Sequence, residues 1–519
     1  MTLKRAILAV LTIFAIARIG FSLNNSFSQP QIQSRLELYQ TNLVLHVAEF
    51  KSNPQDEFDL NSAVSSLVGE DPYSAASKQY QKVRTEIKSN RDNFVSQLEK
   101  LDSPQGNDSE VLEKSRENPG QRTQLVQQIA ELEQFIDELD LKRGILAAVQ
   151  GQSQEAIGIW NSEIDRIGNP QNSYAQTATI LKQLWQERAQ ELIAEARSII
   201  NRNLDSWFRY QALAQLERVN SAINDLTLLQ EQEIQTATNS VIKLAFISAF
   251  PVFGGIFGTI LLIFLTLQGL LKKDQSIIAT NSNSNWSTPW DWEITWQVLI
   301  VGFFFIAQIA LPLLLGIFNI NPVNSSLRIK ALYVLGTYLA MAIGGISVLY
   351  LSIKSFLPFP QDWFKFKLWD NWIVWGFGGY LVALPAVLIV SLINQQIWHG
   401  QGGSNPLLFL ALQSQDTVAL IIFFVTSSIA APIFEEIMFR GFLLPSLTRY
   451  VSTTAAILIS AFIFAIAHLS LSEVLPLATL GIVLGVVYTR SRNLLAPILL
   501  HSLWNSGTLI SLFVLGSGV

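Results

Sequence analysis

Cysteine is absent from the 519 residues, which excludes disulfides, thiolate metal sites and a cysteine nucleophile and leaves the redox compartment open. Charge is scarce as well: 14% of the residues are Asp, Glu, Lys or Arg, and the net charge is −5. No basic footprint marks a nucleic-acid partner, and none is expected. Histidine occurs four times, so a histidine inside an apolar stretch stands out. The scarcity of charge is uneven. Of the 75 charged side chains, 21 lie from Val241 onward, nearly all in short connections.

That second part consists of apolar runs that suit the roughly 20 residues of a bilayer crossing. Spans are expected near 241–271, 294–320, 331–353, 372–393, 418–444, 454–470, 474–489 and 494–516. Each must be a helix, because lipid offers backbone N–H and C=O groups no partner outside their own segment. Lys4 and Arg5 precede a further apolar stretch, Ala6 to Leu23, which is marginal in length and interrupted by Arg18. Without a clear small-x-small cleavage site it reads as an uncleaved anchor rather than a signal peptide. The expected fold class is all-α: a polytopic transmembrane helix bundle of about eight C-terminal spans plus an N-terminal anchor, with an extramembrane helical domain. Residues 1–23 form the anchor or signal segment, 24–240 the extramembrane domain, 241–404 transmembrane helices, and 405–519 the membrane domain that holds the chemistry.

The polar part carries helical periodicity. Leu125 to Leu139 places apolar residues three and four apart, the mark of an amphipathic helix, and a Ser, Pro, Gly and Asn-rich loop near Asp102 to Gly120 separates earlier from later helices. Gly144 to Trp160 resembles a tetratricopeptide-type helix pair, and Trp207 to Ala214 is a candidate second copy. Three repeats are normally needed for a stable array, so an irregular helical bundle stays beside that reading. Such a domain implies a protein partner.

Lysine and arginine set the orientation. Lys4, Arg5, Lys272, Lys273, Lys354, Lys365, Lys367, Arg440, Arg449, Arg490 and Arg492 fall on one set of connections, and Arg328 and Lys330 on the other. The first set is expected on the cytoplasmic side of a plasma membrane or the stromal side of a thylakoid-type membrane. The polar domain then lies on the non-cytoplasmic side.

Charge inside an apolar run points to chemistry. Val418 to Phe434 has no ionisable residue, and Glu435 and Glu436 follow at once. An ionised group at the bilayer centre costs roughly 3 kcal/mol on insertion scales, so such groups face a protein interior or a wet cavity. Residues four apart share a helix face, which sets Glu436 over Arg440, whereas Glu435 points about 100° away. Pro432 cannot donate to the Ser428 carbonyl and is expected to kink the helix one turn before the acids, with Ser427 or Ser428 adding polarity. Further along, His468 lies one turn after Phe464, and His501 shares a face with Asn505. A lone histidine in an apolar helix is more often a packing residue. Two histidines, two glutamates and an asparagine in register read together as one polar site.

These residues resemble the CPBP family of intramembrane proteases, which includes the type II CAAX prenyl proteases and the bacteriocin self-immunity (Abi) proteins. The family pattern is Glu-Glu-x-x-x-Arg, Phe-x-x-x-His and His-x-x-x-Asn or Asp on successive helices. Here it reads Glu435-Glu436-x-x-x-Arg440, Phe464-x-x-x-His468 and His501-x-x-x-Asn505, within Thr417 to Thr508. The resemblance implies an intramembrane endopeptidase in which Glu435 and His468 activate a water and His501 and Asn505 stabilise the oxyanion, with Glu436 and Arg440 in support. It also implies a membrane-associated protein or peptide as substrate. Zn2+ stays open as a cofactor, with Glu435, His468 and His501 as candidate ligands, although His-Glu-x-x-His is absent; a Glu/His pair needs no ion. The alternative is a non-catalytic membrane scaffold or chaperone whose front domain recruits partner proteins, and no duplicated half supports a transporter. One tension follows from the orientation: Arg440 falls near the cytoplasmic side and His468 near the far end of its helix, so they meet only if the helices are tilted or offset.

Overall fold

The structure is a computed structural model that describes residues 2–27, 29, 31–50, 64, 68–102, 119–186, 195–281, 285–322, 325–398, 400–413 and 416–516. Two compact units result, one built mainly from Pro30–Ser248 and one from Met1–Gln29 with Ala249–Gly516.

Helix α1 (Leu3–Ser26) belongs to the second unit. The first unit follows it as α2 (Gln33–Ala48), α3 (Pro72–Asp102), α4 (Pro119–Val149), α5 (Ser153–Ile167), α6 (Ser173–Trp185), α7 (Ala196–Asn203), α8 (Ser206–Val219) and the first part of α9 (Ile223–Lys272). The unit division falls within α9, between Ser248 and Ala249. The amphipathic stripe at Leu125, Leu132, Phe135, Ile136 and Leu139 is buried, and its core includes Tyr80, Trp160, Trp207 and Phe208. The pair α4 and α5 turns at Gly151, whose φ of 79° suits glycine. A Cβ on Gly144 would lie 2.1 Å from the Trp160 ring, so a hydrogen there lets the two helices close. The loop expected from Asp102 to Gly120 lies, at 103–118, outside the described residues.

The second unit contains the rest of α9, then α10 (Trp292–Ile317), α11 (Leu327–Ile353), α12 (Trp372–Trp398), α13 (Pro406–Gln413), α14 (Thr417–Leu447), α15 (Thr453–Ile466), α16 (Leu471–Ser491) and α17 (Leu495–Gly516). Eight helices among the described residues, α1, α9 to α12, α14, α16 and α17, are long and apolar enough to cross a membrane. The protein is an all-α, multi-pass membrane protein. Ile256, Phe257, Ile260 and Phe264 on α9 and Leu388, Ile389 and Leu392 on α12 turn outward, as a lipid-facing surface requires.

The stretch expected to span near 454–470 differs. It forms α15, 14 residues ending at Ile466, about 21 Å at 1.5 Å per residue against a hydrocarbon core of about 30 Å. The chain turns at Leu469, whose φ is 58°, and His468 is left at the inner end of a short helix. Ser460 donates to the Phe439 carbonyl at 3.2 Å and Arg440 lies over the Phe464 ring, so α15 packs against α14, with His468 just past its end.

Charged connections gather at one end of this unit. Lys4 and Arg5 pair with Glu293, Arg449 donates to backbone carbonyls of Thr288 and Trp290, Lys365 pairs with Asp362 and Asn281 donates to the Arg490 carbonyl. The other end holds Ser26, Gly402 and Ser470 to Ser472, joined by backbone and hydroxyl bonds. Accessibility tags placed at Asn281 and at Gly400 are therefore expected to label from opposite sides of the membrane, with Asn281 cytoplasmic. Labelling of both from one side would remove this assignment of the bundle's ends.

Candidate active site

Helix α14 begins where Asp416 Oδ1 accepts the amides of Val418 and Ala419, an N-cap that satisfies free donors of the first turn. It is not a uniform helix. Thr426–Ala430 and Ile437–Leu443 are wide π turns flanking the segment Ala431–Glu436, and Pro432 sits in the first turn of that segment. The wide turn directly precedes Pro432, the position expected to kink the helix, and there the proline's missing N–H matters less. The carbonyl that finds a side-chain partner is that of Ser427, which accepts Asn505 Nδ2 at 2.7 Å.

The two glutamates part company. Glu436 and Arg440 are 0% exposed, and Arg440 Nη1 donates to Glu436 Oε1 at 2.8 Å. Nη2 donates to the Gly481 carbonyl at 3.2 Å, and the guanidinium lies 4.4 Å from the Phe464 ring centre. Gly481 lets α15 pack closely on α16 beside this pair, since a Cβ there would fall 2.9 Å from that of Ala461. Glu436 Oε1 also faces His501 Nδ1 at 2.8 Å, which ties α14 to α17. Glu435 instead accepts the Tyr338 hydroxyl of α11 at 3.0 Å through Oε1. Its Oε2 stands 3.9 Å from His501 Nε2 and is a buried oxygen without a hydrogen bond among the described residues.

His468 is oriented by Phe464, whose carbonyl lies 2.9 Å from Nδ1. A carbonyl only accepts, so Nδ1 carries the hydrogen and Nε2 of the neutral ring holds a lone pair. The Phe464 ring stands edge-on to both imidazoles, 4.9 Å from His468 and 5.7 Å from His501.

Glu435, His468, His501 and Asn505 line one cavity of about 630 Å³, whereas Glu436 and Arg440 lie behind its wall. Tyr338 and Glu473 line it too, as do Ser22 and Ser26 from α1. Sequence reasoning missed these four. Tyr338 carries a hydroxyl into an apolar span, but Tyr333 and Tyr350 share that span and nothing in the order of residues selects between them. Among the described residues no group of three His, Cys, Asp or Glu is arranged to hold a metal ion. Of the candidate ligands, His501 Nδ1 faces Glu436 Oε1 and His468 Nδ1 the Phe464 carbonyl, while Glu435 Oε2 makes no hydrogen bond among the described residues.

Residues 417–507 match the family model described as Type II CAAX prenyl endopeptidase Rce1-like. The membrane unit carries an Rce1-like segment. This segment contains both glutamates, Arg440, both histidines and Asn505. The chain is 30% identical over 138 residues to the protein named "Putative membrane peptidase YdiL" of Bacillus subtilis (strain 168), covering 27% of this chain and 55% of that one. It is 29% identical over 147 residues to the membrane-embedded CAAX protease MroQ of Staphylococcus aureus (strain USA300), covering 27% and 57%. The chain thus spans about half the length of the curated relatives it matches. No solved structure matches it.

Proposed function

We propose that the Rce1-like segment makes this protein an intramembrane endopeptidase that hydrolyses a peptide bond of a membrane-associated protein or peptide. The carrying observation is a buried carboxylate oxygen, Glu435 Oε2, sharing a cavity with a histidine whose Nε2 keeps its lone pair. A water between them loses a proton to this pair as its oxygen attacks the scissile carbonyl. Asn505 has a second Nδ2 hydrogen beyond the one given to Ser427, and it serves the developing oxyanion. His501 serves it as well when both ring nitrogens are protonated, Nδ1 remaining on Glu436. That form balances the buried charges, since Glu436 is matched by Arg440 and Glu435 by the imidazolium, and an uncompensated charge at membrane depth is costly. The proton taken from water then passes to the leaving amine.

The likeness to a CAAX protease supports a substrate held at the membrane. The test is proteolysis by the purified full chain in proteoliposomes on a panel of membrane-tethered peptides, read by mass spectrometry. Cleavage is expected, and an excess of chelator is expected to leave turnover within about twofold, because the steps above use side chains alone. Chelator inactivation that Zn2+ restores would replace the Glu/His pair with metal-bound water. No cleavage of any peptide would leave the polar network as a packing device and favour the scaffold.

A further inference from the structure

Arg490 stands in the last turn of α16, at the charged end of the membrane unit and away from the cavity. It is half-buried, and its Nε and Nη1 are buried donors that make no hydrogen bond among the described residues. The charge that acts on it from nearby is a second cation, Arg492. Arg492 is itself engaged: its guanidinium lies 3.4 Å from the Trp286 ring centre and its Nε donates to the Thr489 carbonyl at 3.3 Å. A guanidinium cannot shed its proton, and donors withdrawn from water without an acceptor cost free energy, so Arg490 is built to meet an anion. Its surroundings indicate which. Asn281 donates through Nδ2 to the Arg490 carbonyl at 2.9 Å, and two residues earlier Ala279 belongs to an open groove of about 420 Å³. The groove is lined by Lys273 and by the apolar Gly269, Leu270 and Ile278. Leu267, Leu270 and Leu271 on the last turns of α9 are exposed, as are Trp292 and Trp369 at the same end of the unit, and exposed tryptophans mark the headgroup level of a bilayer.

We infer that this corner binds the phosphate of an anionic phospholipid, held by Arg490 with Lys273 beside it, while an acyl chain covers the apolar wall of the groove. A guanidinium presents its N–H groups as a fork that matches two phosphate oxygens, and basic pockets between membrane helices hold anionic headgroups in this way. Free phosphate would satisfy Arg490 equally but leave the apolar wall uncovered. A zwitterionic lipid also brings a phosphate, yet its quaternary ammonium would meet Lys273 and Arg492 with the same sign. The inference stands apart from the endopeptidase reading, since neither cation lines the cavity that holds Glu435 and His468.

The test uses the full chain, delipidated in detergent and titrated with dioleoyl phosphatidylglycerol or dioleoyl phosphatidylcholine, with bound lipid counted by native mass spectrometry. The wild type is expected to bind phosphatidylglycerol about tenfold more tightly than phosphatidylcholine, the scale of one or two basic side chains acting on an anionic lipid. Arg490→Gln should reduce that preference to about twofold, and Lys273→Gln, at an exposed position that leaves the fold alone, should weaken it about threefold. Lys354→Gln, which removes an exposed cation from the same end of the unit, should keep it, which separates a site from general surface charge. Melting temperature gives a second reading: phosphatidylglycerol should raise that of the wild type but not that of Arg490→Gln, whereas with phosphatidylcholine alone the variant should melt no lower than the wild type because it loses no partner. Equal affinity of the wild type for the two lipids, or a preference that both Arg490→Gln and Lys273→Gln leave untouched, would overturn the inference. Displacement of the bound lipid by millimolar inorganic phosphate would make this a site for free phosphate and overturn the lipid assignment.

Discussion

Turnover of the Glu435→Gln variant is expected to fall by roughly 10² to 10⁴, the range for losing a positioned general base, while the bundle stays folded. The reason lies in what the amide keeps. The glutamine side chain still offers a carbonyl oxygen to the Tyr338 hydroxyl, so the 3.0 Å bond has a counterpart and the side chain keeps its place. It cannot take a proton from water. The melting temperature in detergent should therefore remain near that of the wild type, since the desolvation of a buried carboxylate is relieved as its facing of His501 is lost. Turnover and melting temperature measured on the same preparation decide the matter. Wild-type turnover in Glu435→Gln would remove the proposed base, and a collapse in melting temperature would make Glu435 a structural residue.

Glu436→Gln should fail in the opposite way, through stability. Arg440 is fully buried, and breaking a buried pair by neutralising one member costs about 3 to 5 kcal/mol because the other charge is left uncompensated. The Gly481 carbonyl and the Phe464 ring would remain as partners of Arg440, but neither carries a full negative charge. The double variant Glu436→Gln with Arg440→Met should regain most of the loss, since no orphaned charge remains. Because the same Oε1 holds His501 Nδ1 at 2.8 Å, turnover in the double variant should stay low even where stability returns. Equilibrium unfolding in mixed micelles for the two variants checks both statements. A single variant within about 1 kcal/mol of wild type would show that Arg440 finds sufficient compensation elsewhere.

Part of this architecture is legible in the order of residues alone. Helix periodicity sets which residues share a face, so Glu436 over Arg440 and His501 in register with Asn505 follow from spacing of four once the runs are read as helices. Bilayer thickness then makes a long apolar run a crossing, which accounts for the eight long helices, though not for the short α15, and for the gathering of Lys4, Arg5, Arg449 and Arg490 at one end. The stripe from Leu125 to Leu139 faces inward for the same reason of period.

Other features belong to the tertiary structure. Periodicity says nothing of which helices are neighbours, and in lipid no hydrophobic force between helices orders them; close packing and hydrogen bonds do. Tyr338 reaches Glu435 across 97 residues of chain and His501 reaches Glu436 across 65, distances over which spacing carries no information. The end of α1 enters the cavity wall, though its sequence reads only as an anchor. The end of α15 at Ile466 also escapes a sequence reading, because the apolar run continues past it through Ala467 and Leu469 and only the turn there stops the helix. The sequence by itself determined eight of the nine expected spans and the faces of the chemical residues, because these depend on local helical period and on length. Their depth, their partners and the division of the two glutamates between a cavity and a buried ion pair were decided by packing, which alone sets the rotation and offset of each helix against the next.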